Sequence, residues 1–109
     1  MASTTTIPVE VTPEAAARIE ELGMQPEFEK MIEHTKQTVP DLDSILVIRF
    51  DDLDDPEETR VSIQARQRGP ASLDVDTWDK WGAWFVATFP PDVRRYFSFT
   101  TRYLENYAG

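Results

Sequence analysis

The chain has 109 residues, no cysteine and a formal net charge of −9. The length fits one domain, and the lack of cysteine excludes disulfides, thiol catalysis and cysteine-ligated zinc or iron–sulfur centres. The negative charge opposes broad binding to nucleic acid or to anionic membranes.

That charge is uneven. Residues 1–60 carry 15 acidic and 5 basic side chains, a net of −10, whereas residues 61–109 carry 5 acidic and 6 basic, a net of +1. The second half is therefore able to present a basic surface. Residues 1–6 are small and polar and read as a flexible tail, without the basic and apolar regions of a signal peptide. No apolar run approaches the roughly 20 residues of a membrane helix. These features predict a soluble cytoplasmic protein with one domain over residues 7–109.

Ile7 to Val11 alternates apolar and polar residues and reads as a short strand. Pro8 cannot donate to a ladder, which places this strand at a sheet edge or makes Pro8 a strand end. Thr12-Pro13-Glu14 is a helix start, with Thr12 as N-cap and Pro13 at the first helical position. The helix runs to about Leu22, and Gly23 supplies a left-handed cap. Over about a dozen residues this alanine-rich opening (Ala15, Ala16, Ala17) resembles the first helix of the A-type iron–sulfur carriers. That family's ligand cysteines are missing here, so the resemblance implies no cluster.

Pro26 begins a second helix that ends near Thr38, before Pro40. Phe28, Met31, Ile32, Thr35 and Val39 form its apolar stripe. Ser44 to Phe50 is a continuous apolar strand, Asp51 to Glu58 an acidic loop, and Thr59 to Gln67 an alternating strand. The two strands suit an antiparallel hairpin with a long connection, ended by Gly69-Pro70.

Asp74 or Asp76 caps a third helix, in which Trp78, Trp81, Gly82, Phe85, Thr88 and Phe89 share one stripe. Pro90-Pro91 stops it. Arg95 to Tyr103 favours a strand with Phe97, Phe99 and Tyr103 inward, although a helix through Tyr96, Phe99, Tyr103 and Tyr107 also fits.

The resulting order, β-α(α)-β-β-α-β, is that of the ferredoxin-like sandwich. The expected fold is an α+β two-layer sandwich: a largely antiparallel sheet of three or four strands with helices mainly on one face. Pro8 argues against the strict ferredoxin-like version, whose first strand is central. The fold licenses no activity by itself.

Candidate chemistry is sparse. Asp51, Asp52, Asp54 and Asp55 offer oxygen ligands but lack the alternate-residue spacing, sixth-position Gly and terminal Glu of an EF-hand loop, so no metal site is assigned. His34, the only histidine, sits beside the apolar stripe of the second helix with no triad partner nearby in sequence. No nucleophile, base and orienter can be assembled, and no cofactor is implied.

Two surfaces remain. If Leu46, Ile48 and Phe50 face the helices together with Val61, Ile63, Ala65, Phe97 and Phe99, the opposite sheet face shows Arg49, Arg60, Arg66 and Arg102 with Tyr96, Ile45 and Val47. Arginine is suited to bidentate recognition of carboxylate or phosphate. This face would take a protein partner or a second copy, giving a homodimer. Single-stranded nucleic acid also suits such a face, but the aromatic-rich motifs of RNA-binding sheets are missing. Trp84, at the margin of the aromatic stripe beside Ala83 and Ala87, is a second contact candidate. The expected function is thus a non-catalytic interaction or regulatory module. The alternative is a small-ligand binder or enzyme with a pocket between helix 76–89 and the sheet, lined by Trp78, Trp81, Arg95 and Tyr103.

Overall fold

The computed structural model describes residues 7–39, 41–51, 59–68 and 75–103, and of these all side chains except 75, 76 and 103. The expected tail, residues 52–58 of the acidic loop, Gly69-Pro70 and Asp74 lie outside the described residues.

The first crossover carries clear local signals. After strand β1 (Val9–Val11), helix α1 (Pro13–Leu22) starts where Thr12 turns extended and its hydroxyl accepts from the Ala15 N–H at 3.2 Å. It stops where Gly23 adopts φ 65°. A residue with a Cβ would pay about 1–2 kcal/mol for that left-handed conformation. Helix α2 (Gln25–Thr38) buries Met31, Ile32 and Thr35, followed by Val39.

Strands β2 (Leu42–Phe50) and β3 (Arg60–Gln67) form the antiparallel hairpin. Helix α3 (Val75–Thr88) begins before Asp76, so Asp76 lies within the helix and does not cap it. A one-turn helix, α4 (Pro91–Arg94), then follows where the Pro-Pro pair was expected only to stop α3. Pro91 at its first position and Asp92 in its first turn are ordinary helix-start residues. Strand β4 (Phe97–Tyr103) closes the order and excludes the helical alternative for this segment. Arg95 and Tyr96 belong to the turn before it.

The fold is α+β, with one four-stranded sheet in the order β1-β2-β3-β4. The sheet is mixed, not largely antiparallel: β1 runs parallel to β2, β2 antiparallel to β3, and β3 parallel to β4. Each parallel pair is formed by direct neighbours. The ferredoxin-like sandwich instead splits its βαβ units, so the shared element order does not carry the shared pairing. β1 lies at an edge, as Pro8 requires. Pro8 contributes only its carbonyl, which accepts from the Ile45 N–H at 2.9 Å.

All the helices with buried residues cover one face. Ala15 and Ile19 of α1, Met31 and Ile32 of α2, and Trp81 and Phe89 of α3 join Ile45, Val47, Val61, Ile63, Ala65, Phe97 and Phe99 in one core cluster. The two crossovers start from opposite directions yet lie on the same side of the sheet, so they have opposite hands. One therefore runs against the usual right-handed preference. No helix among the described residues is long and apolar enough to cross a membrane.

Candidate interaction surface

Successive side chains of a strand point to opposite faces, so register decides which residues share one. Across β2 and β3 the pairs Ile45↔Ala65, Val47↔Ile63 and Arg49↔Val61 belong to the helix-covered side, continued into β4 by Phe97 and Phe99. The intervening pairs, Ser44↔Arg66, Leu46↔Gln64, Ile48↔Ser62 and Phe50↔Arg60, form the open face. Ser98, Thr100 and Arg102 extend it on β4, and Glu10 sits at its β1 margin, opposite Leu46.

This corrects the expected arrangement by one residue of register. Leu46, Ile48 and Phe50 face outward, whereas Ile45 and Val47 are fully buried. Both sets are apolar, so hydrophobicity does not separate them. Burial is decided by the partners Val9, Val11, Ile63 and Ala65. Arg49 consequently leaves the open face. It lies near the end of β2 on the helix side, where its Nε meets Asp51 Oδ1 at 2.9 Å. That hydrogen bond holds the Asp51 carboxyl below its usual range.

The open face has a simple layout. An apolar column (Leu46, Ile48, Phe50) runs along β2 beside a polar strip of Ser62, Gln64, Ser98 and Thr100. Between them lies a trough of about 290 Å3 that reaches from Phe50 to Arg102. Phe50 is 55 % exposed, one of three large apolar side chains so exposed among the described residues. Arg60 stands at one end of the strip, and Arg66 and Arg102 at the other.

Arg66 and Arg102 are register partners on adjacent strands, about 4.8 Å apart at the backbone. Like charges directly opposite one another are destabilising in a sheet. The nearby carboxylate, Asp43, is engaged by Arg68 at 3.0 Å. That hydrogen bond is the main reason its carboxyl titrates low, and Arg66 adds only a weaker attraction across space. Arg102 makes no hydrogen bond or ion pair among the described residues.

The other expected contact residues lie elsewhere. Tyr96 sits before β4 on the helix side, its ring flanked by the guanidinium carbons of Arg18 at 5.5 Å and Arg95 at 5.3 Å. Trp84 is half-buried between α2 and α3. It stacks on His34 with ring centroids 3.8 Å apart and 5° between planes, and meets Phe89 edge-on. Burial lowers the pKa of His34.

Of the residues expected to line an aromatic pocket, Trp78 and Trp81 border one groove. Trp81 is a core residue, 2 % exposed, stacked on Phe99 at 4.2 Å. Its Nε1 donates to Thr35 Oγ1 at 3.0 Å, and that hydroxyl donates to the Met31 carbonyl at 2.7 Å. Beside it runs a groove of about 360 Å3 bounded by Trp78, Gly82, Phe85, Val86 and Phe99. A Cβ built on Gly82 would meet nothing within 4 Å, so the groove is open beside this glycine.

Trp78 has a structural duty there. In β4 the even residues bond to β3, as the Tyr96 carbonyl does with the Val61 N–H. Phe99 therefore turns its carbonyl to the outer edge, where the Trp78 indole donates to it at 3.3 Å. Arg95 is exposed on the Tyr96 ring and does not line the groove, and the Tyr103 side chain lies outside the described residues. A larger hollow of about 710 Å3 lies between α2 and β1, where Glu29, Glu33, Lys30 and Lys36 give it charges of both signs.

Comparison with known proteins finds no matching family model, no similar curated protein and no similar solved structure. Among the described residues, no group of three or more His, Asp or Glu side chains is placed to hold a metal ion.

Proposed function

We propose that the protein is a non-catalytic interaction module that docks a protein partner on the open face of its sheet. The observation that carries this reading is the juxtaposition of an apolar column on β2, half-buried at Leu46 and Ile48 and exposed at Phe50, with Arg60, Arg66 and Arg102 on β3 and β4. Exposed apolar area rimmed by polar and arginine side chains is typical of contact surfaces. A second copy is one candidate partner, which would make the protein a homodimer. The cytoplasm suits a chain without cysteines.

The test is affinity capture from native lysate with three variants beside the natural protein. Arg66→Glu with Arg102→Glu, and separately Phe50→Ser, should each lose the captured partner. Lys36→Glu, on the far helical surface, should keep it. Capture by all variants alike refutes the surface. Sedimentation of the same proteins tells self-association from a different partner.

A second reading rests on a separate observation, the groove beside Gly82 between α3 and β4. Its walls, Trp78, Phe85 and Phe99, suit a flat apolar ligand. A Gly82→Leu variant fills this groove. A ligand that raises the Tm of the natural protein and not of this variant would favour the small-ligand reading.

A further inference from the structure

Resting on the open-face reading, we infer that the partner is an extended acidic segment with acids six residues apart and apolar residues between them. The charge pattern supplies the first half of the argument. The chain carries −9 overall, yet along β3 and β4 the open face carries Arg60, Arg66 and Arg102 and no carboxylate. Glu10 lies on the far margin, with two strands between it and β4. A carboxylate above Arg66 and Arg102 relieves the repulsion between two guanidinium groups held on neighbouring strands.

Spacing supplies the second half. Arg60 and Arg66 are six residues apart on one strand, which is about 20 Å at the rise of a β-strand. A ligand chain lying extended over the sheet has the same rise, and only its alternate side chains point down. Acids at its first and seventh positions then reach Arg60 at one end and the Arg66/Arg102 pair at the other. The third and fifth positions also point down, at the level of the register pairs Ile48↔Ser62 and Leu46↔Gln64, of which Ile48, Ser62 and Gln64 line the trough. A polyphosphate chain fits less well. Among the open-face residues Phe50 alone offers a ring for base stacking, and the acidic remainder of the protein repels a long polyanion.

The inference is tested with a labelled peptide, Asp-Ser-Leu-Ser-Leu-Ser-Asp with blocked termini, titrated by fluorescence anisotropy at low salt. Expected are binding to the natural protein, affinity at least about tenfold lower for Arg66→Glu/Arg102→Glu, and weakening as salt rises. A peptide of the same composition with its acids at the first and fourth positions should bind less well. Equal binding of both peptides, or of both proteins, overturns the inference, as does no binding. Tighter binding of a short oligouridylate than of the peptide overturns it in favour of nucleic acid. If the peptide fails while lysate capture still depends on Phe50, Arg66 and Arg102, the partner chemistry is wrong and the docking face stands. Circular dichroism of each variant confirms that exposed substitutions leave the fold intact.

Discussion

Replacing Thr35 by valine tests how the aromatic helix is locked to the core. Thr35 is fully buried, and its hydroxyl is the acceptor for the Trp81 indole N–H. Valine has nearly the same shape and is more apolar, so burial alone predicts no loss. The hydrogen-bond account predicts the opposite, because the variant leaves a buried N–H unpaired at a cost of about 1–3 kcal/mol. The Met31 carbonyl is not orphaned, since it keeps its helical partner. With about 2.1 cal/mol/K of unfolding entropy per residue over 109 residues, the Tm should fall by roughly 4–13 °C. Thr35→Ser keeps the hydroxyl and loses one methyl, at about 1 kcal/mol. Thermal and urea unfolding followed by circular dichroism would rank the three proteins as natural, then serine, then valine. In a Trp81→Phe background the valine penalty should shrink, because the indole donor is gone. A valine variant as stable as the natural protein, or more stable than the serine variant, would refute the reasoning.

Gly82→Ala should stabilise the fold by roughly 0.5–1 kcal/mol, because its Cβ meets nothing and alanine favours helix. A lower Tm would show that the groove is already filled. Gly23→Ala should destabilise by about 1 kcal/mol, since its φ of 65° suits only glycine without strain. An unchanged urea midpoint would argue against the left-handed cap. His34 should titrate below its ordinary value of 6.5. The unfolded chain then binds the proton more readily, so stability falls as the pH drops below about 6.5 and recovers above it. Stacking on the Trp84 face favours the charged ring and opposes this. An NMR titration placing His34 above 6.5 would mean that the Trp84 contact outweighs burial.

Much of the fold was legible because local signals and burial agree. Thr12-Pro13 and Gly23 bracket α1 where capping chemistry puts them, and Val61, Ile63 and Ala65 alternate with polar residues and turn inward. The face of β2 was not legible for the opposite reason. Ile45 and Val47 compete with Leu46, Ile48 and Phe50, and a long loop to β3 leaves the register free. That single ambiguity moved Arg49 off the candidate surface and put the apolar column onto it. The parallel pairs were hidden as well, since strand order is set by packing between segments far apart in the sequence. Trp84 is half-buried at the margin of the stripe, and its partner His34 comes from another helix, so no spacing within α3 points to it. The α4 signal lies in Pro91 and Asp92, but a proline pair both ends one helix and starts the next, so the sequence alone does not separate the two roles.

The most direct test of the docking face is a two-dimensional NMR titration of the labelled protein with the acidic peptide. The account predicts that shifts cluster on the open face, at the amides of Ser62, Gln64, Ser98 and Thr100 and the side chains of Arg66 and Arg102. Trp78, Gly82 and Val86 should stay unmoved. Shifts centred on those α3 residues instead, or none on the sheet at saturating peptide, would contradict it.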